Sequence, residues 1–389
     1  MKSIEKLFSL LFLTQLASIV YSIALAQLLY FVLLIIWIVI IVNEKQWTLN
    51  GYDALFGAFV LLRITAIIFS EYPSASSTAF LREIIFYPYY FIAVYFLRTQ
   101  RTAGLRKIME VLLYAAVIPS LYAIGTVLTH AVERGASFSG GYSVFAVHGA
   151  FTIAFGLLLV LDEHRQKQKI VYLSVIALVA GAVLVTYTRA MWISVILSFI
   201  FIGLAGYKKL LAGLAAAGIA VVAFSASLQE RFLSLLDPVH NSSGRLELWS
   251  AGMKLVPAHF FFGFGPETFG SIVGDRSRFP DHYINSWHNE FLHVCIESGI
   301  FSLLVLAALY AFALYLLVRL FPGTRTGEGS SRSGFYFSAL TMLVIIPSIL
   351  FGSIMLSILN GMILKFVLAG YSYFAEESNV IRPMMWRFR

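Results

Sequence analysis

His288 lies in the run Trp-His-Asn-Glu-Phe-Leu, just ahead of a long apolar stretch. An imidazole with an ordinary pKa of about 6.5 accepts a proton at neutral pH, so His288 is a candidate general base. A lone histidine at that place otherwise serves to cap a helix. Arg245 follows Ser-Ser-Gly and Arg189 follows Thr188 at a turn between two apolar runs. A guanidinium stays charged and forks two hydrogen bonds onto phosphate oxygens, so the two arginines are candidate diphosphate ligands. Their plainer role is to anchor helix ends by snorkelling. Glu290 and Glu297 are seven residues apart and share a helical face, where either could orient an imidazole or pair with an arginine. A glutamate near a helix start is also an ordinary structural choice. Arg82, with Glu83, is a candidate supporting residue at the rim of a span, or a topology anchor. No His-x-x-His and no paired Asp at ligand spacing occur, so nothing supports a built-in metal site. Gly263-Phe264-Gly265-Pro266 lacks the ending of a phosphate loop and reads as a turn, and the single Cys295 reads as a small apolar filler.

The elements that must position these residues are set by composition. The chain has 389 residues, of which 59% are hydrophobic and 12% charged, with a mean hydropathy of +0.83. Apolar runs of about 18 residues or more recur along it, which excludes a water-soluble globular domain. Stretches such as 170–187 and 301–321 are apolar on every face, whereas spanning strands alternate. The fold class is therefore all-α, a polytopic membrane protein. Residues 7–42 make about twice the length of one crossing and are divided near Tyr21 and Ser22. Further spans are expected at 51–70, 83–98, 108–128, 144–161, 170–187, 190–206, 209–227, 293–320, 336–354 and 357–375, about twelve in all. The run after Met-Lys-Ser-Ile-Glu-Lys has no small-residue cleavage pattern and reads as an uncleaved first span. Arg63 and Lys365 fall inside apolar spans, where a charge is a functional hypothesis by default.

Orientation follows from the basic residues. The net charge of +8 sits in short loops rather than in a nucleic-acid patch: Arg98, Arg101, Arg106 and Lys107; Arg165, Lys167 and Lys169; Lys208 and Lys209; Arg319, Arg325 and Arg332. All fall on one side of the alternation, the cytoplasm, with both termini. The expected organisation is a transmembrane bundle over residues 1–227, one large extracytoplasmic cap loop over 228–292 between spans 9 and 10, and C-terminal spans with a cytoplasmic tail over 293–389. The cap holds Trp249, three consecutive phenylalanines from Phe260, Phe264, Phe269 and Trp287, too many aromatics for a disordered linker. A helix is expected from Ser243-Gly244, a turn from Pro257 to Gly265, and the start of the next helix at 286–290.

Several motifs together resemble the O-antigen ligase and O-antigen polymerase superfamily of bacterial envelope glycosyltransferases. They are Thr188-Arg189-Ala190 at an outer turn, Ser243-Gly244-Arg245 followed by Trp249, the Gly263–Gly265 turn before Phe269, and His288-Asn289-Glu290-Phe291-Leu292 followed by Glu297-Ser298-Gly299. The run from 244 to 299 is the most specific part, and the N-terminal spans match in hydropathy alone. Where the family commonly has Ser-Arg-Gly at the outer turn, this chain has Thr-Arg-Ala, which keeps the arginine.

The resemblance implies twelve spans, both termini cytoplasmic, and residence in the bacterial cytoplasmic (inner) membrane. It also implies metal- and nucleotide-independent transfer of a glycan from undecaprenyl diphosphate to an acceptor hydroxyl at the outer face. No cofactor is expected. His288 then matches the family's essential histidine, and Arg189 and Arg245 its diphosphate-holding arginines. Expected partners are the lipid-linked donor, a glycan or lipid acceptor and the membrane, with no nucleic acid, and a chain-length regulator or flippase as candidate protein partners. Polymerase, ligase and protein O-glycosyltransferase differ in acceptor and stay open. The alternative from another class is a transporter or flippase of lipid-linked saccharides, for which Arg63 and Lys365 speak.

Overall fold

The computed structural model describes residues 2–223, 225–234, 244–274, 285–322, 329–352, 354–355 and 357–387. These form an almost wholly helical bundle. In chain order the helices are α1 (Lys2–Ser18), α2 (Ile23–Glu44), α3 (Gly51–Ile68), α4 (Pro73–Ile84), α5 (Pro88–Ala115), α6 (Val117–Leu128), α7 (Tyr142–Asp162), α8 (Gln166–Leu184), α9 (Arg189–Leu204), α10 (Lys208–Ala223), α11 (Ala226–Leu233), α12 (Arg245–Leu255), α13 (Phe269–Val273), α14 (Glu290–Leu320), α15 (Gly329–Phe351) and α16 (Ile358–Glu377). A 3₁₀ turn, Val256–His259, follows α12.

The division of 7–42 falls where the sequence puts it. α1 stops at Ser18, and Ser22 caps α2 by accepting from the Leu25 amide at 3.3 Å. Among the described residues, eight helical runs are long and apolar enough to cross a membrane. Twelve spans were expected. The difference arises because α1, α9 and α10 are 17, 16 and 16 residues long, and because α4 to α6 make one run of 56 residues. The spans expected at 83–98 and 108–128 are redrawn accordingly. Pro88 cannot donate within a helix and opens α5 at its first turn, so the span cannot start at Glu83. The basic segment that reads as a loop stays helical on both sides of a single break at Arg101 (φ 53°, ψ −151°), because it contains no proline to end it.

α7 and α16 are buried along nearly their whole length and form the centre of the bundle. α5, α8 and α15 pack around them, while α3 and α15 pack on α14, and α9 packs on α15. Peripheral helices turn apolar side chains outward, Leu28, Ile35 and Val42 of α2 among them, as a hydrocarbon environment requires. One feature was not legible in the hydropathy. A two-stranded antiparallel sheet joins β1 (Gln46–Leu49) to β2 (Met384–Arg387), with Gln46 opposite Arg387 and Leu49 opposite Met384. Four-residue strands are too short to register as an apolar period.

Next to this sheet an ionic lock ties the first third of the chain to the last span. Asn50 and Asp53 form a capping box at the start of α3. Arg98 of α5 meets the Asp53 carboxylate at 2.7 Å and binds Glu376 of α16 with both Nε and a terminal nitrogen. Tyr90 and Ser372 donate to the second Asp53 oxygen at 2.6 and 2.8 Å, so a fully buried carboxylate is satisfied on all sides. Arg98→Ala leaves that charge unpaired. The expected cost is about 3–5 kcal/mol, read as a lowered melting temperature of the detergent-solubilised protein.

Candidate functional site

Three segments converge at one end of the bundle: the α8–α9 turn, the start of α12 and the lead-in to α14. α8 stops at Leu184, and the chain reverses through Thr186 and Tyr187, the latter in the left-handed region (φ 55°), before α9 starts at Arg189. The Thr186 hydroxyl donates to Val183 O at 2.7 Å and accepts from the Thr188 amide at 3.2 Å, which fixes the turn. Arg189 donates to the hydroxyl and carbonyl of Ser234, just beyond α11, at 3.1 and 3.3 Å.

Two further arginines close on the same turn. Arg134, from the α6–α7 loop, donates through Nε to Thr186 O at 2.9 Å, and its guanidinium lies 3.4 Å from the centre of the Tyr142 ring. Arg231 of α11 donates through Nε to Tyr187 O at 3.2 Å. Burial holds the Arg134 guanidinium below its usual range; Tyr142 opposes this, and the charges of Arg231 and Arg245 lower it further. Arg189 in turn lies in the fields of Arg231, Arg245 and Arg134. All four side chains are half-buried.

Arg245 is the first residue of α12, set there by Gly244 in the left-handed region (φ 73°). One turn on, Trp249 donates its indole N–H to the carbonyl of Trp287 at 2.9 Å, which seats α12 against the peptide that links Trp287 to His288. His288 is half-buried and itself adopts φ 49°, a strained conformation for a residue with a Cβ. Asn289 caps α14, accepting from the Leu292 amide at 3.0 Å and donating to Leu350 O of α15 at 3.3 Å. On the same helix Ser348 donates to the sulfur of Met191 at 3.6 Å, within the first turn of α9. Continuous contacts therefore run from α9, which carries Arg189, through α15 to the His288 turn and on to α12, which carries Arg245.

The remaining expected residues take other places. Glu297 is fully buried and accepts from the amides of Glu267 and Phe269 at 2.6 and 3.2 Å, with His293 Nε2 3.0 Å away. The imidazole it faces is that of His293, one turn back, rather than His288. Glu290 accepts from the Met355 amide at 3.1 Å and the Tyr310 hydroxyl at 3.2 Å. Both carboxylates hold structure. Arg82 is exposed, whereas its neighbour Glu83 turns inward. Arg63, whose partner the sequence left unnamed, pairs with Glu83 at 2.7 Å and donates to Ser298 at 3.1 Å. Lys365 lies 5.0 Å from the centre of the Tyr87 ring, and Tyr87 donates to Glu83. Arg63 and Lys365 are thus packed into one buried network, not arrayed along an open path. Arg134 and Arg231 are the residues that the sequence reading passed over. Both lie in segments assigned to the outer side, where basic residues run against the usual bias and so ask for a reason.

The turn between α12 and α13 is locked into α14. Gly299 breaks that helix (φ 76°, ψ −178°), which frees backbone groups that the helix would otherwise pair. Residues 260–265 take them up: Phe264 donates to Ile296 O, Gly265 to Glu297 O, and Ile300 donates to Phe260 O, each at 2.9 Å. A Cβ on Gly299 would lie 2.1 Å from Phe261 O, and one on Gly263 2.4 Å from the carbonyl carbon of Glu297. On the other side Ser70 and Ser76 donate to the carbonyls of Phe264 and Pro266 at 2.5 and 2.7 Å, and Phe69 stacks on Phe262 at 4.2 Å. Leu248, Phe264, Phe269, Trp287 and Ile296 close a small separate core above this turn.

Residues 173–307 match the family model described as O-antigen ligase. The matched segment runs from α8 into α14 and contains Arg189, Arg245 and His288. No curated protein matches the chain.

Gly299→Ala forces a Cβ onto a carbonyl and a left-handed φ onto alanine, so a loss of about 2–5 kcal/mol is expected as a lower melting temperature. A second expectation concerns Glu267. Although Glu267 is exposed, desolvation of its carboxyl and the nearby carboxylates of Glu297 and Glu83 push it up to about 7, against the opposing pull of His293 and Arg63. The folded protein then binds the proton more tightly than the unfolded chain, so stability falls as pH rises from about 4.5 to about 7. Melting curves across this range should show that slope, and Glu267→Gln should flatten it.

Proposed function

We propose that this chain, which carries the O-antigen ligase signature over residues 173–307, moves a glycan from an undecaprenyl diphosphate carrier to an acceptor sugar hydroxyl. The reaction takes place at the outer face of the bacterial cytoplasmic membrane. Both termini are cytoplasmic, and residues 228–292 form the extracytoplasmic cap between the N-terminal bundle, 1–227, and the C-terminal part, 293–389. The observation that carries this reading is the chain of contacts that joins the Arg189 helix, the His288 turn and the first turn of the Arg245 helix at one end of the bundle.

His288 takes the proton from the acceptor hydroxyl, and that oxygen attacks the anomeric carbon of the donor. A glycosidic C–O bond forms as the bond from that carbon to the diphosphate oxygen breaks, with inversion of configuration. Undecaprenyl diphosphate leaves with the bonding electron pair, and the proton rests on the imidazole. Arg189 and Arg245 hold the diphosphate and stabilise the charge that develops on it, work that fixed cations can do without a metal. Polymerase and ligase chemistry are the same at these atoms and differ in the acceptor.

The experiment is transfer from a purified undecaprenyl diphosphate glycan in detergent with chelator present, using variants whose melting behaviour matches that of the parent protein. His288→Ala should lose about a hundred- to ten-thousandfold in rate, the usual worth of a general base. Arg189→Ala and Arg245→Ala should each lose about a hundred- to a thousandfold. Undiminished transfer by His288→Ala would remove the proposed base, and loss of parent activity with chelator would overturn the metal-free mechanism.

A further inference from the structure

The sequence singles out two arginines for a diphosphate, but the fold gathers four. Arg134 and Arg231 arrive from different segments, the α6–α7 loop and α11, and grip consecutive carbonyls, Thr186 O and Tyr187 O, on the turn that presents Arg189. Each does so through Nε. A guanidinium held by Nε keeps its two terminal nitrogens for another acceptor, in the planar fork that fits a phosphate edge. Among the described residues, Nε is the only nitrogen of either side chain that makes a hydrogen bond. Tyr142 packs on Arg134, its ring centre 3.4 Å from the guanidinium carbon, which restrains that side chain. Like charges brought together at a half-buried turn repel, and Arg134 and Arg189 each lie in the fields of the other arginines of the group. Arg63 and Arg98 meet the carboxylates of Glu83 and Asp53, whereas Arg134 and Arg231 are held by backbone carbonyls. The forks of Arg134 and Arg231, brought beside Arg189 and Arg245, suit a polyanion that arrives and departs.

We propose that Arg134 and Arg231 are diphosphate-binding residues that complete, with Arg189 and Arg245, a cradle of four guanidiniums. The assignment rests on the function proposed above. It adds that the leaving group is held from both sides of the α8–α9 turn. A diphosphate diester carries two negative charges and gains a third when the sugar leaves, so four cations hold the product more strongly than the donor.

The test is calorimetric binding of inorganic pyrophosphate to the full-length protein in detergent, at low and high salt, together with donor-dependence of transfer. Arg134→Ala and Arg231→Ala should each weaken pyrophosphate binding by about ten- to a hundredfold, the loss of one charge-assisted pair, and lower its salt dependence. In transfer they should raise KM for the donor more than they lower kcat. Arg134→Lys and Arg231→Lys, which keep the charge but lose the fork, should recover part of the binding. They serve as the working variants where an alanine variant does not fold. Pyrophosphate affinity and donor KM unchanged in both variants, with Arg189→Ala still impaired, would overturn this assignment alone. A parent protein that binds no pyrophosphate and transfers no glycan would overturn the underlying function as well.

Discussion

The break in α14 at Gly299 is the constraint on which the candidate-site end of this protein depends. A helix crossing hydrocarbon cannot leave backbone N–H and C=O groups unpaired, so an interruption there must be filled by protein. Here the segment from Phe260 to Gly265 fills it, with three backbone hydrogen bonds and an approach so close that glycine is needed at both 263 and 299. Glu297 completes the joint by accepting from two amides of the same crossing segment. Through that joint α12 and α13 become fixtures of the bundle, and the Trp249 to Trp287 hydrogen bond brings Arg245 toward the His288 turn.

The distribution of charge divides the molecule into two regimes. Away from the α8–α9 turn, several arginines are closed into local networks: Arg98 with Asp53 and Glu376, Arg106 with Glu110 and Glu163, Arg63 with Glu83. Such networks lower the cost of burying charge and join segments distant in the sequence. At the α8–α9 turn, backbone carbonyls rather than carboxylates hold Arg134 and Arg231, and both lie near Arg189. Left-handed backbone at Tyr187 and His288 flanks the same region. Strain and like-charge crowding both cost stability, and both occur beside the turn where we propose that the diphosphate binds.

Much of the scaffold was legible in the amino-acid pattern, because hydrocarbon allows few solutions. Runs of apolar residues fixed the helices, Ser22 marked the division between α1 and α2, and Gly244 and Asn289 marked the starts of α12 and α14. What periodicity could not register were short or distant features. The β1–β2 pair joins residues more than 330 positions apart in four-residue strands, and α5 runs on through a basic segment that reads as a loop.

For the candidate site, residue type made His288, Arg189 and Arg245 candidates for a base and two anion ligands, and the resemblance to the O-antigen ligase and polymerase superfamily set them apart from other polar residues. The tertiary structure decided the rest. It assigned Glu297 to His293 and the turn ahead of α13, gave Arg63 its partner in Glu83, and brought Arg134 and Arg231 to carbonyls 52 and 44 residues away. One sequence can state that a charged side chain must find a partner inside a membrane. Only the packing of helices far apart in the chain determines which partner that is.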